Sequence, residues 1–417
     1  MAAATTSNVA AIFREIWEPG MESQFYPIGG TAWALCPKSP DWDGIVRHVT
    51  ANTGGMNGVS STFADAKAAQ NPTVPVDFAV TTVDRFALWS VDHKAMVLAR
   101  NDRGRQVELV GDQTRAAMER LMLTQAAAIY TGTGGAIGRI AAGGIAGSTI
   151  TLENPDTIKN LEEGDQFYLS SANGDTSTDT LRAGGPLTVS TIDADAGTVT
   201  CSAGIVATIG AAAAGDYLFR RGDFQAAAAG FEAWNPITVP STAFYGLVRN
   251  TGNVARKAGL RKDVSATVGY VNKVKAALLH ASRYNAQYTH LFVDPTFYMN
   301  LEVELGQAVR FVEEPSRDAS GKATTQGFTG IKFTQHGGSP VKVYSDAFCP
   351  LNVGRGVDYG PGGFKWVSAG KFPQWLTPDG KEDMHMLESS NVSEGRAGGY
   401  GNYLTKRPLN LGRYKWA

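Results

Sequence analysis

The sequence predicts a large α+β chain of several parts, with a small β-barrel or sandwich inserted near its middle. Three observations carry this. A helical pattern spans 112–130, short strand signals cluster in 148–222, and a helix–strand–Asp-Pro–helix unit occupies 263–305. The chain has 417 residues, and one hydrophobic core usually stops growing at about 250–300, so more than one core is expected.

Residues 1–58 show little periodicity. Short apolar clusters (Ile12, Phe13, Ile16, Trp17; Trp33, Leu35) alternate with Pro19, Pro27, Pro37 and Pro40, which reads as an extended arm with at most one short helix. Such an arm cannot bury its aromatics against itself and needs another surface. Between residues 74 and 99, Val76, Phe78, Val80 and Thr82 alternate with polar or small residues, Asp84 supplies a turn, and Phe86, Leu88, Met96, Val97 and Leu98 return. The expectation is a long two-stranded hairpin lying on something else, because a lone hairpin is marginal in water.

Asp112 is a plausible N-cap after Gly111, and Met118, Leu121, Met122, Ala126 and Ile129 form a helical stripe that Gly132 ends. The glycine-rich run 131–144 (TGTGGAIGRIAAGG) invites a phosphate-loop reading. Its order argues against that: it follows a helix instead of a strand, and no Gly-Lys-Ser/Thr is present. It is expected to be a flexible hinge. Strand signals then recur at Thr149–Leu152, Gln166–Ser170, Leu187–Ile192, Thr198–Cys201 and Tyr217–Phe219, separated by turn-forming Asn, Asp and Gly.

A second amphipathic helix is expected over 263–285, with Val264, Val268, Val271, Val274 and Leu278 on one face. A strand Tyr288–Val293 follows. Asp294-Pro295 opens another helix through Leu305, closed by Gly306. Residues 307–330 read as a loop, Ile331–Thr334 and Val341–Tyr344 as a hairpin, and Phe364–Val367, Met384–Leu387 and Tyr400–Leu404 as strands.

Composition narrows the function. Hydrophobic residues make up 43% and charged residues 18%, a sparse charge for a free monomer and one that suits a surface covered by something. The net charge of −1 gives no bulk field for nucleic acid. Within it, residues 148–222 carry a net −6, while the stretch from Arg396 onward has five Lys or Arg and no carboxylate side chain. No apolar run reaches the ~18 residues a membrane span needs, and the start lacks a secretory pattern.

The search for catalytic or metal chemistry assigns no residue. Cys36, Cys201 and Cys349 lie too far apart for a zinc motif or a disulfide framework. His48, His93, His280, His290, His336 and His385 are dispersed, and no Gly-x-Ser-x-Gly elbow occurs. Glu162-Glu163 and Glu313-Glu314 are adjacent pairs whose side chains diverge on regular elements. The acidic residues of 148–222 lack the calcium-loop pattern. The chain is expected not to be an enzyme, with no cofactor, catalytic or metal site.

The order of the parts resembles the Hong Kong 97-like fold of tailed-bacteriophage major capsid proteins. The stretches that carry the likeness are Ala128-Ile129-Tyr130-Thr131-Gly132-Thr133-Gly134 with Ile137-Gly138-Arg139-Ile140, and Asp216-Tyr217-Leu218-Phe219-Arg220-Arg221-Gly222-Asp223-Phe224. They continue with His290-Leu291-Phe292-Val293-Asp294-Pro295 and Val341-Lys342-Val343-Tyr344-Ser345-Asp346 with Cys349-Pro350. The resemblance covers the chain from about residue 59 onward.

It implies an N-terminal arm (1–58), an extended loop (59–105), a peripheral domain with its spine helix (106–147), an inserted β domain (148–222), a peripheral connector (223–260), an axial domain (261–364) and a peripheral return (365–417). The implied function is self-assembly, as pentamers and hexamers, into the icosahedral head of a tailed phage. The implied partners are other copies of the chain, scaffolding, portal and decoration proteins, and packaged double-stranded DNA without sequence-specific contacts; no membrane is involved. Assembly would take place in the host cytoplasm and the product would be the virion shell. Gly132 and Gly134 would flex between five- and six-fold environments, and the acidic insertion and basic tail would steer docking. Some members of the family crosslink through a loop lysine. Lys94 has the location, but no matching asparagine or assisting glutamate can be placed, so it reads as an ordinary surface residue. An encapsulin-type compartment shell and, from another class, a β-rich hydrolase are the alternatives.

Overall fold

The computed structural model describes residues 30–55, 57–94, 109–308, 331–335, 339–376, 385–386 and 391–417. They fall into two compact units. The larger is built from Pro27–Arg85, Met122–Phe372 and Gly399–Ala417, and the smaller, among the described residues, from stretches of Phe86–Leu121 and Pro373–Gly398.

The larger unit has three apolar cores. The first gathers aromatics from distant parts of the chain. The short helix Thr31–Leu35 inserts Trp33, 1% exposed, edge-on against Trp366 at 5.6 Å and Tyr403 at 6.0 Å. Strand Lys38–Ser39 pairs in parallel with Lys365–Ser368, which pairs antiparallel with residues 401–404. The last turns of the long helix Leu109–Ala128 add Ala126, and Ile129 follows just beyond it.

The second core lies under a mixed six-stranded sheet in the order Leu260–Asp263, Leu411–Lys415, Val353–Val357, His290–Val293, Pro340–Ser345, Ile331–Thr334. The helices Tyr270–Arg283 and Pro295–Ala308 cover it with Val274, Leu278, Phe297 and Leu301. Asp294 accepts the Phe297 amide at 2.9 Å as the expected N-cap, and the expected hairpin of Ile331–Thr334 with the following strand forms.

The third core fills a closed barrel of strands in the order Tyr217–Arg220, Ala136–Ala146, Thr149–Leu152, Thr198–Cys201, Leu187–Asp193, Gln166–Ser170. Alternate residues point inward, among them Ile150, Phe167, Leu169, Val199 and Leu218, each completely buried. Closure leaves no strand edge to aggregate.

Several expectations change. Strand Val74–Thr81 does not pair with the strand after it. Its antiparallel partner is Val46–Gly54, with Val49 opposite Phe78, while Val83–Asp92 pairs with the strand Val392–Leu404. Asp84 has no glycine or asparagine beside it to reverse the chain, so the backbone runs on. The run at 131–144 is not a free hinge. Residues 136–146 are a barrel strand, and a Cβ on Gly132 or Gly134 would lie 2.2 Å from Asp175 Oδ1 or 2.0 Å from the Asn173 carbonyl. These glycines serve close approach, and the Gly134 amide donates to Asp175 at 2.9 Å.

The helix expected from 263 begins at Tyr270. Gly269 at φ 85° breaks the pattern, residues 260–263 are a strand, and Val268 is 86% exposed instead of facing the core. Gly306 lies inside the helix Pro295–Ala308. The basic tail is partly offset internally, through Arg413 with Glu232 at 3.3 Å and Lys415 with Asp263 at 3.5 Å. Residues 1–29 of the arm, most of the 307–330 loop with Glu313-Glu314, His336 and residues 95–108, with Met96, Val97 and Leu98, lie outside the described residues.

In the smaller unit Trp89 and Trp375 meet edge-on at 5.0 Å. A Cβ on Gly395 would lie 2.3 Å from the Trp89 ring. Gln374–Trp375 and His385–Met386 pair with residues 397–398 and 393–394 of the strand Val392–Leu404.

Candidate assembly surface

The hairpin of Val46–Gly54 and Val74–Thr81 has two different ends. Its strands are nine and eight residues long, roughly 27–30 Å at about 3.4 Å per residue. At the base Val49, Ala51, Phe78 and Val80 are buried in the first core, and Phe78 stands 5.2 Å from Trp234. At the tip, residues 57–73 include a bridge from Asn57 to Asn71 and the short helix Phe63–Ala68. Thr62 caps that helix by accepting the Asp65 amide at 3.4 Å, and none of its residues is buried.

Val59 is 95% and Phe63 85% exposed, and Ile45 and Val74 are exposed as well. A second group of exposed apolar side chains, Leu279 and Tyr284 at the end of Tyr270–Arg283 and Met299 and Val303 on Pro295–Ala308, lies on the outer faces of the two helices over the mixed sheet. On the smaller unit, Phe86 and Leu88 are exposed on the strand face opposite Trp89 and Val91. Scattered exposed apolar residues are ordinary, but a projecting tip whose aromatic has no cover within its own unit fits a surface meant for a partner.

The residues searched for chemistry sit apart. Cys36, Cys201 and Cys349 are buried and free. Burial pushes the Cys36 thiol up to about 12 and the Cys201 thiol up to about 11, and raises Cys349 well above the usual value. His48 faces Asp77 on the exposed side of the hairpin, and His290 stacks among Phe292, Tyr344 and Tyr359. Glu163 is exposed and Glu162 partly so. Lys94 is exposed just past the strand Val83–Asp92, its amide 3.3 Å from Asp92 Oδ1. Among the described residues no group of three or more His, Cys, Asp or Glu is placed to hold a metal ion, and no helix is long and apolar enough to cross a membrane.

A cleft of about 610 Å³ opens beside the barrel, lined by Tyr130, Arg139, Lys159, Arg220 and Phe348 among others. Its charges are largely paired, Arg85 with Asp223 at 2.7 Å and Arg139 with Glu153 at 3.2 Å, and Lys159 lies over the Phe348 ring at 5.0 Å.

No protein-family model and no curated protein matches the sequence. Among solved structures, a chain of the cyanophage A-1(L) capsid asymmetric unit superposes with a TM-score of 0.56 at 9% identity, over 99% of both chains. The chain has a phage capsid-protein fold. The capsid of the native GTA particle (TM-score 0.49, 9% identity, 100% of both chains) and the SrpI encapsulin of Synechococcus elongatus PCC 7942 (TM-score 0.45, 7% identity, 100% of this chain and 96% of that one) are more distant, too distant to argue from. Sequence reasoning overlooks the hairpin tip because Val59 and Phe63 stand alone in a polar stretch, with no periodicity to mark them.

Proposed function

We propose that the chain is a major capsid protein that assembles through copies of itself, as pentamers and hexamers, into the icosahedral head of a tailed phage enclosing double-stranded DNA. The observation that carries this reading is the end-to-end likeness to a cyanophage capsid chain, at a TM-score of 0.56. The exposed tip supports it physically. Burying a Phe or Val side chain is worth about 1.5–3 kcal/mol, and every copy would contribute the same contacts. Repetition over a closed shell offsets the entropy of association.

In this reading the parts follow the Hong Kong 97-like plan. Residues 106–147 and 365–417 make the peripheral domain with its spine helix and 223–260 connect it, while 261–364 make the axial domain and 148–222 the core of the inserted barrel. The arm (1–58) and extended loop (59–105) share the hairpin 46–81, so the last strand of one and the first of the other act as one projection. Scaffolding, portal and decoration proteins are the further partners this reading calls for, with assembly in the host cytoplasm.

Electron microscopy of the purified protein at high concentration tests it. Closed shells tens of nanometres across, containing nucleic acid when recovered from infected cells, are expected. A persistent folded monomer would overturn the reading, and shells filled with protein cargo would replace it with an enzyme-storing compartment.

A further inference from the structure

Asparagine followed by glycine occurs twice in the chain, as Asn57-Gly58 and as Asn173-Gly174. The pairing is chemically labile. The backbone nitrogen after an asparagine can close a five-membered ring on the side-chain amide carbon, and glycine alone puts no Cβ in the way. Both glycines have positive φ, 107° at Gly58 and 76° at Gly174, so backbone conformation does not separate the two pairs. Their surroundings do.

Asn173 is held at both ends of its side chain. Its Nδ2 donates to Asp175 Oδ2 at 2.6 Å, and its Oδ1 accepts the Asp175 amide at 3.3 Å. Turning the amide carbon toward the next nitrogen breaks both bonds. Gly174 is also buried, which shields its amide from hydroxide. Asn57 lies near the tip of the hairpin built from Val46–Gly54 and Val74–Thr81, and it is exposed. Its backbone amide donates to the Asn71 carbonyl at 3.3 Å, beyond the usual range for a strong bond. Among the described residues its side chain makes no hydrogen bond, so nothing there opposes rotation of the amide carbon onto the Gly58 nitrogen. Gly58 is half-buried.

We infer that Asn57 is a site of spontaneous deamidation and that Asn173 is protected from the same reaction by the fold. The Gly58 nitrogen gives its proton to hydroxide and attacks Asn57 Cγ. The N–Cγ bond forms, the Cγ–Nδ2 bond breaks, and ammonia leaves with a proton from water. Water then opens the cyclic imide. Cleavage of the N–Cγ bond gives aspartate, and cleavage of the bond to the backbone carbonyl carbon gives isoaspartate, so no oxidant or enzyme is needed. Residues 57–73 carry one acid, Asp65, and one base, Lys67, so the product changes a neutral tip into one with net charge −1, two residues from exposed Val59. A carboxylate there raises the cost of covering Val59 and Phe63. That consequence rests on the capsid reading, whereas the modification itself needs only a folded subunit.

Peptide mass spectrometry of the full-length unassembled protein, sampled during incubation in mildly alkaline buffer, tests it. The peptide containing Asn57 is expected to convert from amide to acid, as a mixture of aspartate and isoaspartate, at a rate that rises with pH. It is expected to do so about tenfold or more faster than the peptide containing Asn173, the worth of the two side-chain hydrogen bonds that Asn173 must break. In urea, where both pairs are unfolded, the two rates are expected to converge. Asn57→Gln lengthens the ring by one carbon and is expected to abolish conversion at that peptide while keeping the wild-type melting temperature. The glycine is the poorer position to change, because a Cβ on Gly58 would lie 2.9 Å from the Ala66 carbonyl. No conversion at Asn57, equal rates at the two pairs in the folded protein, or conversion of that peptide that persists in Asn57→Gln would overturn the inference.

Discussion

A Cβ on Gly354 would lie 2.0 Å from the ring of Trp416, so the strand Val353–Val357 can pass over that indole only with glycine there. Gly354→Ala is expected to cost about 1–3 kcal/mol, read as a lower urea midpoint with an unchanged slope. Glu232 is a second decisive residue. Burial alone would raise its carboxyl, but Arg355 and Arg413 hold it below the ordinary value. Its folded-state pKa lies below its unfolded one, so its contribution is fully present above about pH 4–5 and is lost as the pH falls through the folded value. Glu232→Gln is therefore expected to destabilise the protein at pH 7, by about 3 kcal/mol for a broken buried pair, and to flatten the acid limb of the stability curve in pH-dependent denaturation. The three buried thiols are expected to ignore a disulfide reagent at pH 8 until the chain is unfolded, because Cys36 and Cys201 titrate near 12 and 11.

At the scale of single elements the hairpin separates stability from association. Phe78→Ala at its base is expected to cost about 3–5 kcal/mol of folding stability, since that ring is completely buried beside Trp234. Phe63→Ser at its tip is expected to change stability by no more than about 0.5 kcal/mol while reducing shell yield, measured by sedimentation against thermal denaturation. The strand at 74–81 is legible in the sequence, yet its partner is not. In Val46–Gly54 the inward positions are Val49, Ala51 and Thr53, a series too weakly apolar to stand out. The same holds for the barrel. Five strands show themselves through Ile, Val, Phe and Leu at alternate positions, whereas Ala136–Ala146 is mostly glycine and alanine and presents Ile140 as its one fully buried large residue. The meeting of Arg261, Arg355 and Arg413 leaves no sequence signal at all, because they become neighbours only through parallel pairing of Leu260–Asp263 with Leu411–Lys415 and antiparallel pairing of the latter with Val353–Val357.

Across the whole molecule the described residues form three cores, and the barrel's core shares no buried residue with the other two. Calorimetry of Phe167→Ala, which empties a completely buried barrel position, is expected to lower one unfolding transition and leave the rest near its wild-type temperature. A single transition moving as one would show that the barrel is coupled to its host.

The barrel also enters and leaves its host by adjacent strands: Ala136 stands opposite Phe219 in the register. A module whose two stems already touch can be cut out and the stumps rejoined across a few ångströms. For an engineer, the same seam is a socket in which a different closed domain with neighbouring termini can be seated.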